Sequence, residues 1–341
     1  MSENSIDVVM LWVDGSDKEW IKQYNKYAPA NMKKMSNRYR DWDTIRYVLR
    51  GIEYFMPWVR KIHFVTCGQR PKWMVEKHEK LNFVSHFDIF DNTECLPVFN
   101  SSAIELNIHR IPELADTFIY FNDDMLVLKP TNQERFFKHG LPVDFLLQTI
   151  PRRGIVYEKI RKPDSWSSMI NNCVDLVNIH YKKQTLLKNN KTLYYSKAYP
   201  IKANIFNFLL QHMSQKYFAF KHYHHPQPYL RKNLLETERI FKKEFDNAFC
   251  SRFRSKKNLS QAIFRYAHLA QGNFYPGYFN DHSCVNVSDE DSAKICIKAI
   301  KTKRFVCVND ELKGHESDAQ LIKSIMSVVD NILPQKSSFE I

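Results

Sequence analysis

The run Phe118-Ile119-Tyr120-Phe121, which ends abruptly in Asn122-Asp123-Asp124, constrains this chain more than any other segment. An uninterrupted stretch of β-branched and aromatic residues is how a strand buried on both faces of a parallel sheet reads. Ligands collect at the carboxyl ends of such strands. Two carboxylates there suit a hard cation such as Mg²⁺, which takes carboxylate oxygens together with substrate phosphates. A solvated turn, or a helix start capped by aspartate, is the plain alternative.

The surrounding sequence repeats the pattern. Residues 6–13, 61–66 and 81–86 read as further strands, and Ile45, Val48, Leu49 and Ile52 recur at helical spacing over 43–54, with Asp43 as the N-cap. Another helix is predicted over 101–109. Such alternation implies an α/β fold with a mostly parallel sheet and crossover helices. Beyond residue 150 the texture turns helical, with helices predicted over 166–183, 201–214, 228–245 (Pro228 in its first turn), 259–271 and 317–333. A late apolar run, 304–308, again ends in an acid at Asn309-Asp310, and is expected to return to the first sheet. The organisation predicted is a single domain over 1–341, with a core of 1–150 plus 300–341 and a helical lobe of about 151–299 inserted before the last core strand.

Composition excludes several function classes. With eight glycines, the chain has neither G-x-G-x-x-G nor G-x-x-x-x-G-K-[ST], which disfavours a Rossmann dehydrogenase and a P-loop NTPase. Its seven cysteines are scattered without a Cys-x-x-Cys pair, so free thiols are expected rather than a disulfide framework or a zinc site. No apolar run approaches the roughly 18 to 20 residues that span a bilayer, and no signal peptide is evident, so a cytoplasmic protein is expected. Fifty basic against 37 acidic residues give +13. That excess is explained by plain solubility, or by an anionic membrane surface, better than by nucleic acid, for which no reading motif is present.

Several constellations could carry chemistry. Asp14-Gly15 follows the first strand, where the carboxylate could meet a ribose or simply close a turn. Arg38, Arg40, Asp41 and Asp43 cluster just ahead of a helix, as a phosphate fork or as a cap with ion pairs. Glu105 and His109 would share a helix face at i, i+4, with Asn100 and Arg110 nearby. His222-Tyr-His224-His225-Pro226 gathers the side chains best matched to proton transfer at neutral pH, without a second cluster to suggest zinc. Arg254 could stabilise charge on a transferring phosphoryl group.

Together these segments resemble the Stealth family of sugar-phosphate transferases, in four blocks that occur in the family's order. They are Ile6–Asp17; Arg38 to about Pro130, with Arg40-Asp41, Arg46-Tyr47, Asn100-Ser101, Ile104-Glu105, His109-Arg110 and Asn122-Asp123-Asp124; His224-His225-Pro226 through Arg254-Ser255; and Cys307-Val308-Asn309-Asp310. Trp42, Cys67 and Lys256-Lys257-Asn258 depart from the pattern. The resemblance implies a GT-A-like core and transfer of a sugar 1-phosphate from a UDP-sugar to a hydroxyl of a growing, lipid-linked surface glycan, with release of UMP. It implies Mg²⁺ or Mn²⁺ on Asp123, Asp124 and Asp310. It makes His224 a base or phosphate ligand, sets Arg254 on the phosphoryl oxygens, and gives Asp310 a share in the metal or in hydroxyl activation. Asp14, Gly15, Arg40, Asp43, Arg46, Asn100, Glu105, His109 and Arg110 are implied to form the donor pocket. The expected location is the cytoplasm, peripheral to the inner membrane face. A glycosyltransferase on the same fold, releasing UDP, is the competing expectation.

Overall fold

The computed structural model describes residues 5–32, 42–161 and 164–341. Eleven strands occur among them: β1 Ile6–Leu11, β2 Ile62–Thr66, β3 Leu81–Ser85, β4 Thr117–Asn122, β5 Met125–Val127, β6 Phe137–Lys138, β7 Leu141–Asp144, β8 Gln227–Leu230, β9 Tyr275–Pro276, β10 His282–Val287 and β11 Phe305–Asp310. The main sheet has the order β3-β2-β1-β4-β8. Its first four strands are parallel, with Val9 opposite His63 and Tyr120, and only β8 runs antiparallel. The architecture is therefore α/β with a mainly parallel central sheet.

Alternate residues of each strand feed two separate cores. Val8, Met10, Phe64, Ile119 and Phe121 pack with the helix Thr44–Phe55 and the second sheet. Val9, Val65, Val84, Phe118 and Tyr120 face the other way, onto Ile170, Val174, Phe245 and Phe264 of the helical part. A strand with apolar partners on both faces has no polar alternation to display, which is why these runs read as continuous.

The helix Thr44–Phe55 buries Ile45, Val48, Leu49 and Ile52, the four residues its spacing marks. Residue 51, also buried, is a glycine for steric reasons. A Cβ at Gly51 would stand 2.3 Å from the Val127 carbonyl oxygen, so only glycine lets the helix lie on β5. Asp43 precedes the helix in the left-handed region and makes no side-chain cap; its carboxylate instead pairs with Arg46 Nε at 2.8 Å. At the other end of the chain, Glu340 accepts two hydrogen bonds from the buried Arg50 guanidinium, which fastens the C-terminus to this helix.

Three expectations are corrected. The late strand β11 does not rejoin the main sheet. It lies between β10, parallel, and β5, antiparallel, in a separate three-stranded sheet. Residues 228–245 are not one helix either. Gln227–Leu230 forms β8, and helices follow at Arg231–Ile240 and Lys242–Phe249. Pro228 fits both a first helical turn and an edge strand, and β8 is an edge where a missing N–H costs no ladder bond. The cysteine pattern also misleads in one place: Cys95 and Cys250 form a disulfide.

One buried ion pair ties the helical part to the core. The Asp144 carboxylate, at the end of β7, accepts from Arg265 Nη2 at 2.7 Å and Nε at 2.8 Å, from His268 at 3.3 Å and from Gln227 of β8 at 3.2 Å. Burial on its own would raise this carboxyl; Arg265 and His268 more than reverse that and hold it well below the usual carboxylate range. Because the folded value lies below the unfolded one, the contribution is complete above about pH 4 and is lost as acid protonates Asp144. Arg265→Met would leave a buried carboxylate without its main partner, and should lower stability by about 3–5 kcal/mol, read from urea unfolding at pH 7. The difference from wild type should shrink as the pH is taken down towards 3; an equal difference at both pH values would rule out the ionic origin.

Candidate active site

The Asp123-Asp124 pair is the turn between β4 and β5. Since β4 belongs to the main sheet and β5 to the small one, the chain crosses between sheets in these two residues. The crossing opens a cavity of about 790 Å³. One side is formed by Trp12 and Val13 after β1 and by Asn122–Asp124, another by Cys284, Asn286 and Asn309 of the small sheet. Glu105, Arg254 and the segment His222–His225 close the rest, together with Arg152 and Trp166 from the helical part.

Asp124 is the centre of the polar contacts. Its Oδ2 accepts from the Cys307 thiol at 2.9 Å, and its Oδ1 lies 3.7 Å from His224 Nε2. That Oδ1 is buried and, among the described residues, has no hydrogen-bond partner. Asn122 Nδ2 stands 3.2 Å from the same histidine nitrogen. Among the described residues, Asp124, His224 and Cys307 bring ligand atoms within 4.8 Å of one another. Burial would lower the His224 imidazole, but Asp124 overrides it and raises it to about 9, so the ring is held as a cation at neutral pH. Burial in turn would raise Asp124, and His224 with Cys307 bring it below the usual value. Cys284, opposite Cys307 in the β10–β11 register, is lowered to about 7 by its side-chain contact with Cys307 and by the nearby His224, against burial.

Arg254 is brought in by its neighbours. Phe99 N–H donates to the Arg252 carbonyl at 2.8 Å, the Phe99 and Phe253 rings stack at 5.3 Å, and Cys95 is bonded to Cys250. Arg254 Nη2 then donates to Ser101 Oγ at 2.7 Å. Asn100 supports this arrangement rather than the cavity: it caps the helix Ser101–Glu105 through Ser102 N–H and donates to the Ser251 carbonyl at 3.1 Å. Glu105 does line the cavity. It accepts from Tyr120 at 3.2 Å, and burial pushes its carboxyl up despite Arg254 nearby.

The structure thus gathers Asp123, Asp124, Glu105, His224 and Arg254 around one space and distributes the other expected residues elsewhere. Asp14 sits in the turn after β1, accepting from Ser16 N–H at 2.8 Å, with Gly15 beside it. Asp43 and Arg46 pair with each other, and Arg46 lies over the Trp73 ring at 4.8 Å. The shared helix face expected for Glu105 and His109 does not form. The helix ends at Glu105, and His109 belongs to a separate short turn, buried against Glu238 at 2.7 Å with Arg110 on the same carboxylate at 2.5 Å. Asp310 falls on the strand face opposite Cys307, which meets Asp124, and Asn309, which lines the cavity; its carboxylate accepts from Trp42 Nε1 at 3.0 Å and from Leu312 N–H. Arg40 lies outside the described residues.

Sequence reasoning missed Asn309, Asn122 and Tyr120 as cavity residues, and Cys307 as the partner of Asp124. The period-two alternation of a strand held the signal: stepping back by one and by three from Asp310 gives Asn309 and Cys307 on one face.

Comparison with known proteins follows the same residues. Residues 38–143 match conserved region 2 of Stealth proteins, and residues 4–32 match conserved region 1. The receptor polysaccharide phosphotransferase WefC of Streptococcus oralis is 32% identical over 99% of this chain and 100% of its own. The chain belongs to the Stealth family. Another relative, the capsular polysaccharide phosphotransferase WcwK of Streptococcus pneumoniae, is 30% identical over 98% of each chain. The exopolysaccharide phosphotransferase cps2G of Lactiplantibacillus plantarum is 29% identical over 98% of this chain and 96% of that one. In the crystal structure of the galactosyltransferase LgtC with donor and acceptor sugar analogues, 95% of each chain aligns at 10% identity with a TM-score of 0.41, too loose a likeness to carry an argument.

The positions of this Stealth protein's His109 and His224 give opposite expectations for two substitutions of one residue type. His109→Gln should cost about 1–3 kcal/mol in thermal or urea unfolding by disturbing the buried contact to Glu238, while the folded enzyme keeps its turnover. Loss of turnover in fully folded His109→Gln would place that residue at the chemistry after all.

Proposed function

We propose that this Stealth protein transfers a sugar 1-phosphate from a UDP-sugar to a hydroxyl of a growing surface polysaccharide, and releases UMP. The observation that carries the reading is the meeting of Asp124, His224 and Arg254 in one cavity, in a chain whose relatives over nearly their full length are named polysaccharide phosphotransferases. The acceptor oxygen attacks the phosphorus next to the sugar and gives up its proton to solvent, the bond from that phosphorus to the oxygen of UMP breaks, and the anomeric C1–O bond stays intact. Phosphoryl transfer passes through a loose transition state, so positioning and charge neutralisation supply most of the catalysis.

This chain's residues can provide both. As an imidazolium, His224 donates from Nε2 to a phosphoryl oxygen, and Asp124 holds the ring in that charge state. Arg254, fixed by Ser101 and by the Cys250–Phe253 segment, offers its guanidinium to the same group. A divalent cation, Mg²⁺ or Mn²⁺, fits beside them, because Asp124 Oδ1 is a buried carboxylate oxygen without a hydrogen-bond partner among the described residues and Asp123 lines the same space. Asp123 and Asp124 would hold it, and it would supply neutralising charge to the diphosphate. Asp310, from its place on the far face of β11, would act through Trp42 and the chain turn at Leu312.

The acceptor in this reading is lipid-linked, and the enzyme works at the cytoplasmic face of the membrane. No helix among the described residues is long and apolar enough to cross a membrane, so contact with the bilayer would be peripheral.

The deciding measurement is the nucleotide released when the protein turns over a UDP-sugar with Mg²⁺ and a short-glycan acceptor. UMP and a phosphodiester in the product are expected; UDP and a phosphorus-free product would make the enzyme a glycosyltransferase. In the same assay His224→Ala and Arg254→Ala should each lower kcat by about 10²–10³-fold. Near wild-type rates for both would sink the site assignment.

A further inference from the structure

The helix Ile201–Met213 turns its apolar side to solvent. Ile201 is 79% exposed, Ile205 55%, Phe208 54%, Leu209 53% and Met213 72%. Their spacing of three, four and one residues places them along one broad stripe. Patches of this kind on a water-facing surface mark a docking site.

Charge identifies the partner. Between Asp175 and Glu236 the chain contains no acidic residue, and it carries nine lysines and one arginine. These sixty residues therefore hold ten positive charges, against a net of +13 for the whole chain. Lys182, Lys188, Lys191, Lys197, Lys202 and Lys216 are all exposed. A solvent-facing apolar helix set in a basic segment free of acidic residues is the pattern of a helix that lies in the interfacial plane of an anionic bilayer. A second copy of the chain is the poorer partner, because it would bring the same uncompensated charge against itself.

The helix is also fixed to the protein in a way that suits such a role. Its inner side buries Asn207 and Leu210. Asn207 donates to the carbonyls of Leu146 and Tyr194 and accepts from Gln148 N–H at 2.8 Å. The buried Lys183 donates to the Leu210 and Ser214 carbonyls at the helix end. Residues 147–149 bond in turn to 219–221, with Lys221 N–H on the Leu147 carbonyl at 2.7 Å. The next residues, His222–His225, are cavity wall. Few bonds separate the apolar stripe from the catalytic histidine.

We propose that the helix Ile201–Met213, with the lysines around it, seats this enzyme on an anionic lipid bilayer and so turns the cavity towards an acceptor carried in that bilayer. The inference deepens the lipid-linked acceptor reading and rests on it for its purpose, but lipid binding is measured without turnover, so either can fail alone.

The test is co-sedimentation of the full chain with vesicles of equal parts phosphatidylglycerol and phosphatidylcholine, beside vesicles of phosphatidylcholine alone. Wild type should bind the anionic vesicles at low salt, lose much of that binding at high salt, and ignore the neutral ones. The double variant Ile205→Glu/Phe208→Glu should partition about tenfold less or weaker still, while its kcat on a water-soluble short-glycan acceptor stays unchanged. Ile205→Ser/Phe208→Ser serves if the glutamate pair does not fold, as judged by circular dichroism. Absence of wild-type binding at low salt would overturn the proposal, as would equal binding by the folded variant. A wild-type dimer that the variant converts to monomer would overturn it too, by assigning the stripe to contact between copies.

Discussion

The Asp144–Arg265 pair carries more of this architecture than its size suggests. A guanidinium and a carboxylate removed from water are tolerable only when every donor and acceptor finds a partner. Arg265 meets that demand by also donating to the Lys221 and Phe145 carbonyls, and Asp144 by accepting from Gln227 of β8. The satisfied network therefore joins β7, the edge strand of the main sheet and the helix Ala262–Gln271 at one point. Lys221 stands immediately before the histidine segment, so the requirement of the buried pair to be fully bonded fixes where His222–His225 runs. The cavity's histidine wall is held in place by electrostatics behind it.

The facing wall has a different origin. Parallel strands end together, and at the end of β4 the chain changes sheets in the Asp123-Asp124 turn instead of entering a helix. A carboxylate in such a turn faces the gap between two sheets, and here the gap also receives the Cys307 side of β11. The thiol of Cys307 and the imidazolium of His224 then divide the Asp124 carboxylate between them. Three distant segments of sequence thus settle one charge, and the arrangement is compatible with phosphate because the imidazole stays cationic.

Much of this was legible in the sequence, and the failures have identifiable causes. Strands β1, β2 and β4 and the helix Thr44–Phe55 were readable because both of their faces, or one clear stripe, are apolar. The resemblance to a family singled out Asp124, His224 and Arg254, which share one cavity, and the strand-end position of Asp124 gave that choice physical support. Residues 228–230 read as the start of a helix because proline suits two different starts, and only the presence of β4 beside them decides between the two. His109 looked like a partner for Glu105 because a helix was assumed to continue past residue 105; its real partner, Glu238, lies 129 positions away along the chain, where no local pattern can point. Asp310 stood out as a charge at a strand end, although alternation puts its neighbour Asn309 into the cavity instead.

Gly51 and the Asp123-Asp124 turn together limit how a protein of this kind can change its length. The helix rests on β5 with no room for a single methyl group, and β5 is joined to β4 by two residues, so the separation of the two sheets is set at both ends. Insertions or deletions anywhere from β4 to β5 would displace the carboxylate against a helix that cannot yield. Variation in chain length among proteins built this way has to be absorbed elsewhere, in the segments that connect the helices of the outer wall.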